Sequence, residues 1–370
     1  MIAVWHAEDR GRFVGGNVGV ILLGAGGLVA QRIQERLASH PLFRIEVVAG
    51  SPNTAGRRLT DLKWDLDSPR PINLDHIVLS MKELLDSYDL NKTPIAFSTL
   101  PADIAAEVEP NLVKRGCRVY SNASTHRMMS NIPLIIPEVN GTLLERRKTG
   151  NPGIVCSTNC TVMPVAMTLA PIHRVHHIQN VRIRTEQSLS GGGAALLRSG
   201  KLGEAFDQKI PGEAEKMEEE LRRLLADIDD DGIEEYATFD VDIECSRVGR
   251  PFGHEVHIEA RTESIIDEEE ILRLWATQPS VLHLTLPSSP TFPLMVRETI
   301  QPERDLRAGE EEIGSSITFD LKQGMAIVVT PPRIENGWIR WRAFSANTIR
   351  GAAGGCVLLA EFDTQLRTRS

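Results

Sequence analysis

Short apolar runs alternate with helical stretches over the first third of the chain. The runs at Val18–Leu23, 45–49, 95–97 and 118–120 have the length and continuity of strands that are buried on both faces. Apolar residues recur with helical spacing over 28–37 and 103–115. Strands that alternate with helices in this way indicate a doubly wound, Rossmann-like parallel sheet.

The pattern changes after residue 159. Apolar and polar residues alternate over 254–260, which is typical of a strand with one face in the core. A helix is predicted over 213–225, and it carries two opposite-charge pairs at i, i+4 spacing, Glu218/Arg222 and Glu219/Arg223. The predicted fold class is therefore α/β, with a second, α+β domain built on a largely antiparallel sheet.

Composition and charge exclude several classes of function. The 370 residues are 41% hydrophobic and 25% charged, which argues against a disordered or collagen-like chain. With a net charge of −9 and 5% aromatic residues, the chain has neither the basic surface nor the stacking side chains of a nucleic-acid binder. The longest apolar stretch, 18–30, is too short to cross a bilayer, and the polar N-terminus lacks the apolar segment of a secretion signal.

Five cysteines are scattered along the chain without CxxC spacing. Neither a disulfide framework nor a zinc site is implied, and we expect no metal. A reducing compartment, the cytoplasm, fits this usage best.

A glycine turn follows the first predicted strand. Gly24, Gly27 and Ala30 are spaced as in a turn that lets the backbone approach a pyrophosphate at a helix N-terminus. The alternative is a tight turn that binds no ligand. After the second strand, where an acidic residue would bind a ribose 2′-hydroxyl, the chain has Ser51, Thr54, Arg57 and Arg58. Hydroxyls and arginines suit a 2′-phosphate and hence NADP, although such arginines can also be simply solvated.

Cys160 is the candidate nucleophile. It ends the polar segment 157–160 and precedes an apolar helical run at 162–170. A helix N-terminus favours the thiolate, which is the form of cysteine that attacks a carbonyl. Taken alone, a cysteine is more often a structural residue, and we interpret the other four as packing.

His254 is the candidate partner of that thiol. Strand alternation places its side chain on the core face, whereas His257 points the other way. The alternative is a structural histidine in the core whose ring nitrogens are hydrogen-bonded within the protein. Arg247, seven residues earlier, could lie near the same site and bind a carboxylate.

Taken together, these motifs resemble the aspartate-β-semialdehyde dehydrogenase family, in the form typical of archaea and fungi. The resemblance covers nearly the whole chain, from Val18 to Glu361. It is carried by eight groups of residues in order: 24–29, 97–101, 121–128 with 136–140, 159–160, 187–193, 212–216, Arg247 with His254, and 347–354.

The resemblance implies a role for each matching residue. The catalytic set is Cys160 as nucleophile, His254 as acid/base, Gln187 as a residue that helps to hold the covalent intermediate, and Asn159 beside the nucleophile. Arg127 and Asn122 match a phosphate site, while Glu213, Lys216 and Arg247 match residues that grip the amino acid part of the substrate. The residues expected to hold NADP are Gly24, Gly27, Leu28, Val29, Ser51, Thr54, Arg57, Ser98, Leu100, Gly191 and Asn347.

The implied reaction is the NADP-dependent reductive dephosphorylation of L-4-aspartyl phosphate, a step toward lysine, threonine and methionine. Cys160 would form a thioester, and His254 would protonate the collapsing oxyanion. Some positions depart from the family pattern: Ser157-Thr158 replaces Asn-Pro before the nucleophile, Gly26 and Ala30 differ in the glycine turn, and Ala346 replaces a histidine. Two alternatives therefore stay open, namely the same chemistry on another acyl donor such as malonyl-CoA, and a non-catalytic nucleotide-binding paralogue.

The resemblance also implies an organisation for the chain. It comprises an N-terminal extension (1–17), an NADP-binding domain (18–158), a catalytic and dimerisation domain (159–345), and a C-terminal helix that returns to the first domain (346–370). A homodimer or homotetramer that binds small molecules, and neither nucleic acid nor membrane, is expected.

Overall fold

The computed structural model describes residues 17–72, 74–90, 93–147, 153–200, 208–277, 286–309 and 320–369. The predicted N-terminal extension lies outside the described residues, apart from Asn17. In the described residues, no helix is both long and apolar enough to cross a membrane.

Six parallel strands form one sheet within the described residues, in the order β3-β2-β1-β4-β5-β6. This confirms the predicted Rossmann-like sheet. The order reverses between β1 and β4, which places a crevice at their carboxyl ends. The strands are β1 Val18–Leu23, β2 Phe43–Gly50, β3 Leu79–Ser80, β4 Ile95–Ser98, β5 Arg118–Ser121 and β6 Gly153–Cys156.

Helices connect these strands and cover the sheet. The predicted helices at 28–37 and 103–115 are present, the second beginning and ending one residue earlier. The helices of this part are α1 Leu28–Leu37, α2 Met81–Ser87, α3 Ala102–Lys114, α4 Pro137–Asn140 and α5 Thr142–Arg147.

A second sheet is mixed and mainly antiparallel. Among the described residues it has eight strands, in the order β13-β14-β16-β12-β7-β11-β8, with β15 paired to β16. Two of its pairings, β7 with β11 and β13 with β14, are parallel. The strands are β7 Ile178–Gln187, β8 Gln208–Lys209, β11 Asp240–Arg247, β12 His254–Thr262, β13 Leu294–Val296, β14 Ile327–Val329, β15 Arg333–Glu335 and β16 Trp338–Ser345; β9 Asp227–Ile228 and β10 Glu234–Glu235 form a separate hairpin.

One face of this sheet is apolar and packs on helices. Val256, Ile258 and Ala260 of β12 share a buried cluster with residues of α6, α8 and α9. Alternate residues point away from that core, as the strand period requires. The remaining helices are α6 Val162–His176, α7 Gly193–Ser199, α8 Glu213–Leu224, α9 Glu268–Ala276, α10 Pro302–Asp305 and α11 Gly354–Arg369.

The end of the chain packs against the first sheet. Val357, Leu358 and Ala360 of α11 lie in the same buried cluster as Val20 and Leu22 of β1. A π-helical segment, Ile349–Ala353, precedes α11. The end of the chain therefore connects the second sheet to the core of the first.

Candidate active site

Apart from Gly191 and Asn347, the expected cofactor residues lie at the carboxyl edge of the first sheet. The glycine turn follows β1, Ser51 and Thr54 follow β2, and Ser98 ends β4. Because β2, β1 and β4 are neighbours, the fold brings together three segments that lie far apart in sequence. The position is the crevice where the strand order reverses.

The glycine turn fits a pyrophosphate. Gly24 has φ +96°, and a Cβ there would lie 2.4 Å from Oγ1 of Thr99, so this position requires glycine. Gly27 is the N-cap of α1, no side chain caps the helix, and its first turn contains no acidic residue. The free N–H groups of such a terminus attract anions.

Arg57 and Arg58 are both exposed beyond this turn. Arg57 donates from Nη2 to the carbonyl of Asp61 (3.0 Å), whereas Arg58 forms an ion pair with Asp75 (2.6 Å). Among the described residues, Arg58 has a carboxylate partner and Arg57 has none. It is the better candidate for a 2′-phosphate.

Cys160 lies on the loop that connects β6 to α6. The loop is held by Asn159, whose Oδ1 accepts from the backbone N–H of Thr161 (2.7 Å) and whose Nδ2 donates to Glu213 (2.9 Å). Gly351 packs directly on the nucleophile, since a Cβ at 351 would lie 2.6 Å from the Cβ of Cys160. The half-buried thiol is therefore confined between α8 and the start of the C-terminal helix.

A buried carboxylate, Glu220 of α8, anchors the same loop. Its Oε2 accepts from Oγ1 of Thr158 and from the backbone N–H of Asn159, each at 2.8 Å. Its Oε1 forms an ion pair with Arg127 (2.8 Å). Glu220 is not among the residues predicted from the sequence. Its position carries a signal, because it is a glutamate on the apolar stripe of α8, between Met217 and Leu221. A buried carboxylate there requires a partner.

Arg127 and Asn122 lie where the first sheet approaches the nucleophile loop. Nη2 of Arg127 donates to the carbonyl of Asn122 (2.7 Å), and Oδ1 of Asn122 accepts from Ser157 (3.1 Å). Nε of Arg127 is buried and has no hydrogen-bond partner among the described residues. A guanidinium carries five N–H donors, so this arginine retains capacity for an anion.

The second sheet contributes three site residues from the ends of neighbouring strands. Gln187 ends β7, Arg247 ends β11 in register with it, and His254 begins β12. All three belong to the alternate residues that face the core. The predicted orientation of His254 is thus confirmed. His257 points to the other face, as predicted, and pairs there with Glu186. The side chain of Gln187 is turned toward Thr185 (3.4 Å).

Cys160 and His254 meet at the junction of the two sheets. The Sγ of Cys160 lies 3.4 Å from Nε2 of His254. Burial raises the pKa of the Cys160 thiol to about 11; the negative charge of Glu213 adds to this, whereas Arg127 and Arg247 oppose it. The sequence predicted a thiolate favoured by the helix N-terminus, but in the free protein burial outweighs that effect.

Gly191 packs against the guanidinium of Arg247 and the imidazole of His254. A Cβ at this position would lie 2.7 Å from Nη1 of Arg247 and 2.9 Å from Nε2 of His254. Only glycine allows the 189–192 turn to pass this close. The backbone at 191 therefore borders the reacting atoms.

Two expected site residues are placed differently from the rest. Lys216 is exposed, one turn after Glu213 on α8. Asn347 is buried, and its amide is used within the protein: Oδ1 accepts from the N–H of Gly253 (2.8 Å) and Nδ2 donates to Ser190 (3.0 Å). No group of His, Cys, Asp and Glu residues in the described part of the chain is arranged to hold a metal ion.

Comparison with known proteins agrees with this geometry. Residues 18–146 match the family model "Semialdehyde dehydrogenase, NAD binding domain". Aspartate-semialdehyde dehydrogenase of Methanothermobacter thermautotrophicus is 33% identical over 363 residues, which cover 95% of this chain and 99% of that protein. The chain belongs to the aspartate-semialdehyde dehydrogenase family. The resemblance inferred from the motifs is thus confirmed.

Other relatives of this family define its breadth. The aspartate-semialdehyde dehydrogenase of Aspergillus fumigatus is 28% identical over 92% of the chain and 95% of that protein. Malonyl CoA reductase (NADP) of Metallosphaera sedula is 29% identical over 92% of the chain and 96% of that protein. The crystal structure of the Candida albicans aspartate semialdehyde dehydrogenase with NADP has a TM-score of 0.80 and 25% identity, covering 95% of this chain and all of that one.

Proposed function

We propose that this protein catalyses the NADP-dependent reductive dephosphorylation of L-4-aspartyl phosphate to L-aspartate 4-semialdehyde, a reaction of amino-acid biosynthesis. The observation that carries the proposal is the approach of Cys160 to His254 (3.4 Å) at the edge where the glycine turn ends. The nucleophile contacts a hydrogen-bonding imidazole, and its loop and the glycine turn both follow strands of the first sheet at the carboxyl edge. This is the set that acyl transfer to sulfur followed by reduction requires.

In the first half-reaction the thiolate of Cys160 attacks the acyl carbon, and the carbon–phosphate oxygen bond breaks. Arg127, with its buried and unpartnered Nε, would stabilise the phosphate with Asn122 beside it. The thioester that results keeps the acyl group within reach of His254. Gln187, at the end of the neighbouring strand, would help to hold it.

Recognition of the amino acid part falls to Glu213, Lys216 and Arg247. Glu213 and Arg247 both act on the charge of Cys160, so opposite charges flank the nucleophile. A substrate ammonium that pairs with Glu213 would cancel the charge that raises the thiol pKa. Substrate binding would therefore favour the thiolate.

The cofactor would be held by the carboxyl edge of the first sheet, and its reduced form, NADPH, would supply the hydride. Gly24 and Gly27 would receive the pyrophosphate, with Leu28 and Val29 at the start of α1. Ser51, Thr54 and Arg57 would hold the 2′-phosphate, and Ser98, which ends β4, and Leu100, just after it, would line the other side of the glycine turn. The backbone of Gly191 borders the reacting atoms and would contact the nicotinamide.

The runner-up function is the same chemistry on a CoA thioester, since one relative is a malonyl CoA reductase. Retention of Glu213 favours the amino acid, because a malonyl group has no ammonium for this carboxylate to bind. A non-catalytic paralogue is less well supported, because Cys160, His254, Arg127 and Arg247 are all present and adjacent.

The assay that separates these functions follows NADPH at 340 nm. Purified protein is supplied with L-aspartate 4-semialdehyde, NADP and phosphate, and in a second reaction with malonyl-CoA and NADPH. We expect phosphate-dependent reduction of NADP in the first reaction. Turnover of malonyl-CoA without a need for phosphate would establish the runner-up, and NADP binding by calorimetry without turnover of either substrate would establish the silent paralogue.

We further infer the domain boundaries, the oligomeric state and the location of the protein. Units 18–158 and 159–345 would be the NADP-binding and the catalytic and dimerisation domains, with 346–370 returning to the first. We expect a homodimer or homotetramer, measurable by analytical ultracentrifugation. A cytoplasmic location would keep the Cys160 thiol reduced.

A further inference from the structure

A fully buried ion pair joins α4 to the segment that precedes α11. Nη2 of Arg350 lies 2.8 Å from Oε1 of Glu138, and neither side chain is accessible to solvent. The same Nη2 lies 3.6 Å from the Sδ of Met167 in α6, the helix that follows the nucleophile. Both residues belong to segments that carry the family resemblance, 136–140 and 347–354, and the proposed reaction uses neither of them.

The geometry of this pair suits positioning better than stability. Nε and Nη1 of Arg350 are buried and have no hydrogen-bond partner among the described residues, and Oε2 of Glu138 has none there either. A buried ion pair repays its desolvation only when the remaining polar atoms are satisfied, and apolar side chains of similar volume often stabilise a core at least as well. The stability of the core therefore does not account for this pair.

Arg350 lies in the π-helical turn Ile349–Ala353. The backbone N–H of Gly351 donates to the carbonyl of Ala346 (3.3 Å), and the N–H of Ala353 donates to the carbonyl of Thr348 (3.2 Å). Each bond spans five residues, as the π-helix requires, where an α-helix would span four. Turns of this kind are rare and occur frequently at functional sites.

The residue that this turn presents to the nucleophile is Gly351. A Cβ at 351 would lie 2.6 Å from the Cβ, 2.8 Å from the Cα and 3.0 Å from the backbone oxygen of Cys160. The turn thus covers Cys160 from the side of the C-terminal segment. Because Gly351 is the next residue after Arg350, an anchor on the arginine side chain fixes the backbone that packs on Cys160.

We propose that Arg350 and Glu138 are positioning residues, whose ion pair holds the π-helical turn so that Gly351 confines Cys160 beside His254. The inference rests on the proposed function, because it takes Cys160 as the nucleophile. Both side chains of the pair are wholly buried, so they act through Gly351 and not on the substrate.

The main test removes both charges and keeps the volume, in the double variant Glu138→Leu with Arg350→Met. Because an apolar pair can replace a buried ion pair without loss of stability, we expect a urea midpoint at or above that of the wild-type protein. Displacement of Cys160 by about 1 Å should lower kcat about a hundredfold. The KM for NADP should stay unchanged, because its expected site lies on the first sheet.

The second measurement is alkylation of Cys160 by iodoacetamide at pH 8 in the free, full-length protein, located by peptide mapping. Burial raises the pKa of this thiol, so a less covered thiol has a lower pKa and more thiolate. We expect alkylation about tenfold faster in the double variant, which corresponds to one unit of pKa. Wild-type kcat with wild-type alkylation would overturn the proposal, and so would a loss of kcat with unchanged alkylation.

Alkylation needs no substrate, so this result is separate from the proposed function. Faster alkylation of the double variant, in a protein that turns over neither acyl donor, would support the positioning role while the proposed function fails. Phosphate-dependent turnover with unchanged alkylation of the variant would have the opposite meaning.

Glu138→Asp is the second variant, and it keeps the proposal testable if the double variant does not fold. It retains the charge but shortens the side chain by one methylene, so the ion pair can re-form only if the π-helical turn moves. We expect kcat to fall about tenfold, with faster alkylation of Cys160. Wild-type values of both quantities in Glu138→Asp would overturn the proposal.

The matched control is Arg118→Met with Asp363→Asn. Arg118 and Asp363 also form a buried ion pair (2.9 Å) and also tie α11 to the first sheet, but Asp363 lies further along the helix than Gly351. Asparagine retains an acceptor for the hydroxyl of Tyr120, which donates to Asp363 at 2.8 Å. The control should change the urea midpoint and leave the alkylation of Cys160 unchanged. Equally fast alkylation in the control would show a general loosening of the C-terminal helix and overturn the proposal.

Discussion

The carboxylate of Glu220 joins Arg127 to the loop that carries the nucleophile. One oxygen pairs with the guanidinium at 2.8 Å, and the other accepts from Thr158 and from the backbone of Asn159. Both members of the pair are buried. The contact therefore couples the phosphate candidate to the position of Cys160.

Removing this carboxylate should affect both stability and catalysis. In Glu220→Ala the buried Arg127 loses its counter-charge, which costs about 3–5 kcal/mol of unfolding free energy in comparable buried pairs. We expect that loss in urea denaturation, together with a lower kcat. Glu219→Ala changes the exposed neighbour on α8 and should do neither. Equal effects of the two variants would show that Glu220 does not anchor the nucleophile loop.

Gly351 should tolerate no side chain. The 2.6 Å approach to the Cβ of Cys160 means that alanine displaces the nucleophile from His254. Overpacking of this kind costs about 1–3 kcal/mol, and misplacement of a reacting atom by about 1 Å can cost a hundredfold in rate. Both effects are measured by comparing the stability and the activity of Gly351→Ala with those of a control, Ala352→Ser. Ala352 is the adjacent residue and is half-buried. Full activity of Gly351→Ala would show that the contact is not restrictive.

The charge of Glu213 should be visible in the reactivity of the free thiol. Its carboxylate raises the pKa of Cys160, so Glu213→Gln should lower that pKa and increase the fraction of thiolate at pH 8. Alkylation by iodoacetamide should then accelerate, by about tenfold for each unit of pKa lost, while kcat/KM for the semialdehyde falls. Glu215→Gln, on the exposed side of the same helix, is the control. Slower alkylation in Glu213→Gln would show that the Glu213 carboxylate does not raise the pKa of Cys160.

Arg57 should determine the preference for NADP. Arg57→Ala should raise the KM for NADP by about tenfold, about 1.4 kcal/mol of binding, and leave the KM for NAD unchanged. Arg58→Ala is the matched control, because Arg58 already pairs with Asp75. If both variants behave alike in steady-state assays with NADP and NAD, neither arginine distinguishes the cofactors.

Much of the fold could be predicted because its local patterns agree with its tertiary structure. Continuous apolar runs identified β1 and β4, and the alternation of apolar and polar residues identified the orientation of His254. Both features depend only on which side chains are buried. Side-chain pairing was less predictable. The i, i+4 spacing predicted a pair of Arg223 with Glu219 on α8, but Arg223 is buried and pairs with Glu234 (2.8 Å). Helical spacing does not reveal a partner supplied by a distant strand.

The same limit applies to the site. Cys160, His254 and Arg247 could be proposed from motifs because their chemistry is local to the residue. The ring of His254 is held by the amide of Ser188, and the anchoring of the nucleophile loop depends on Glu220. These are contacts between segments 62 to 66 residues apart, which no local pattern encodes.

The proposed reaction passes through a thioester at Cys160. The most direct test mixes the enzyme with L-aspartate 4-semialdehyde and NADP in the absence of phosphate, and follows NADPH formation and protein mass together. We predict a burst of one NADPH per active site and an acyl adduct that peptide mapping places on Cys160, released when phosphate is added. A burst without an adduct, an adduct on another residue, or a burst that persists in Cys160→Ala would contradict it.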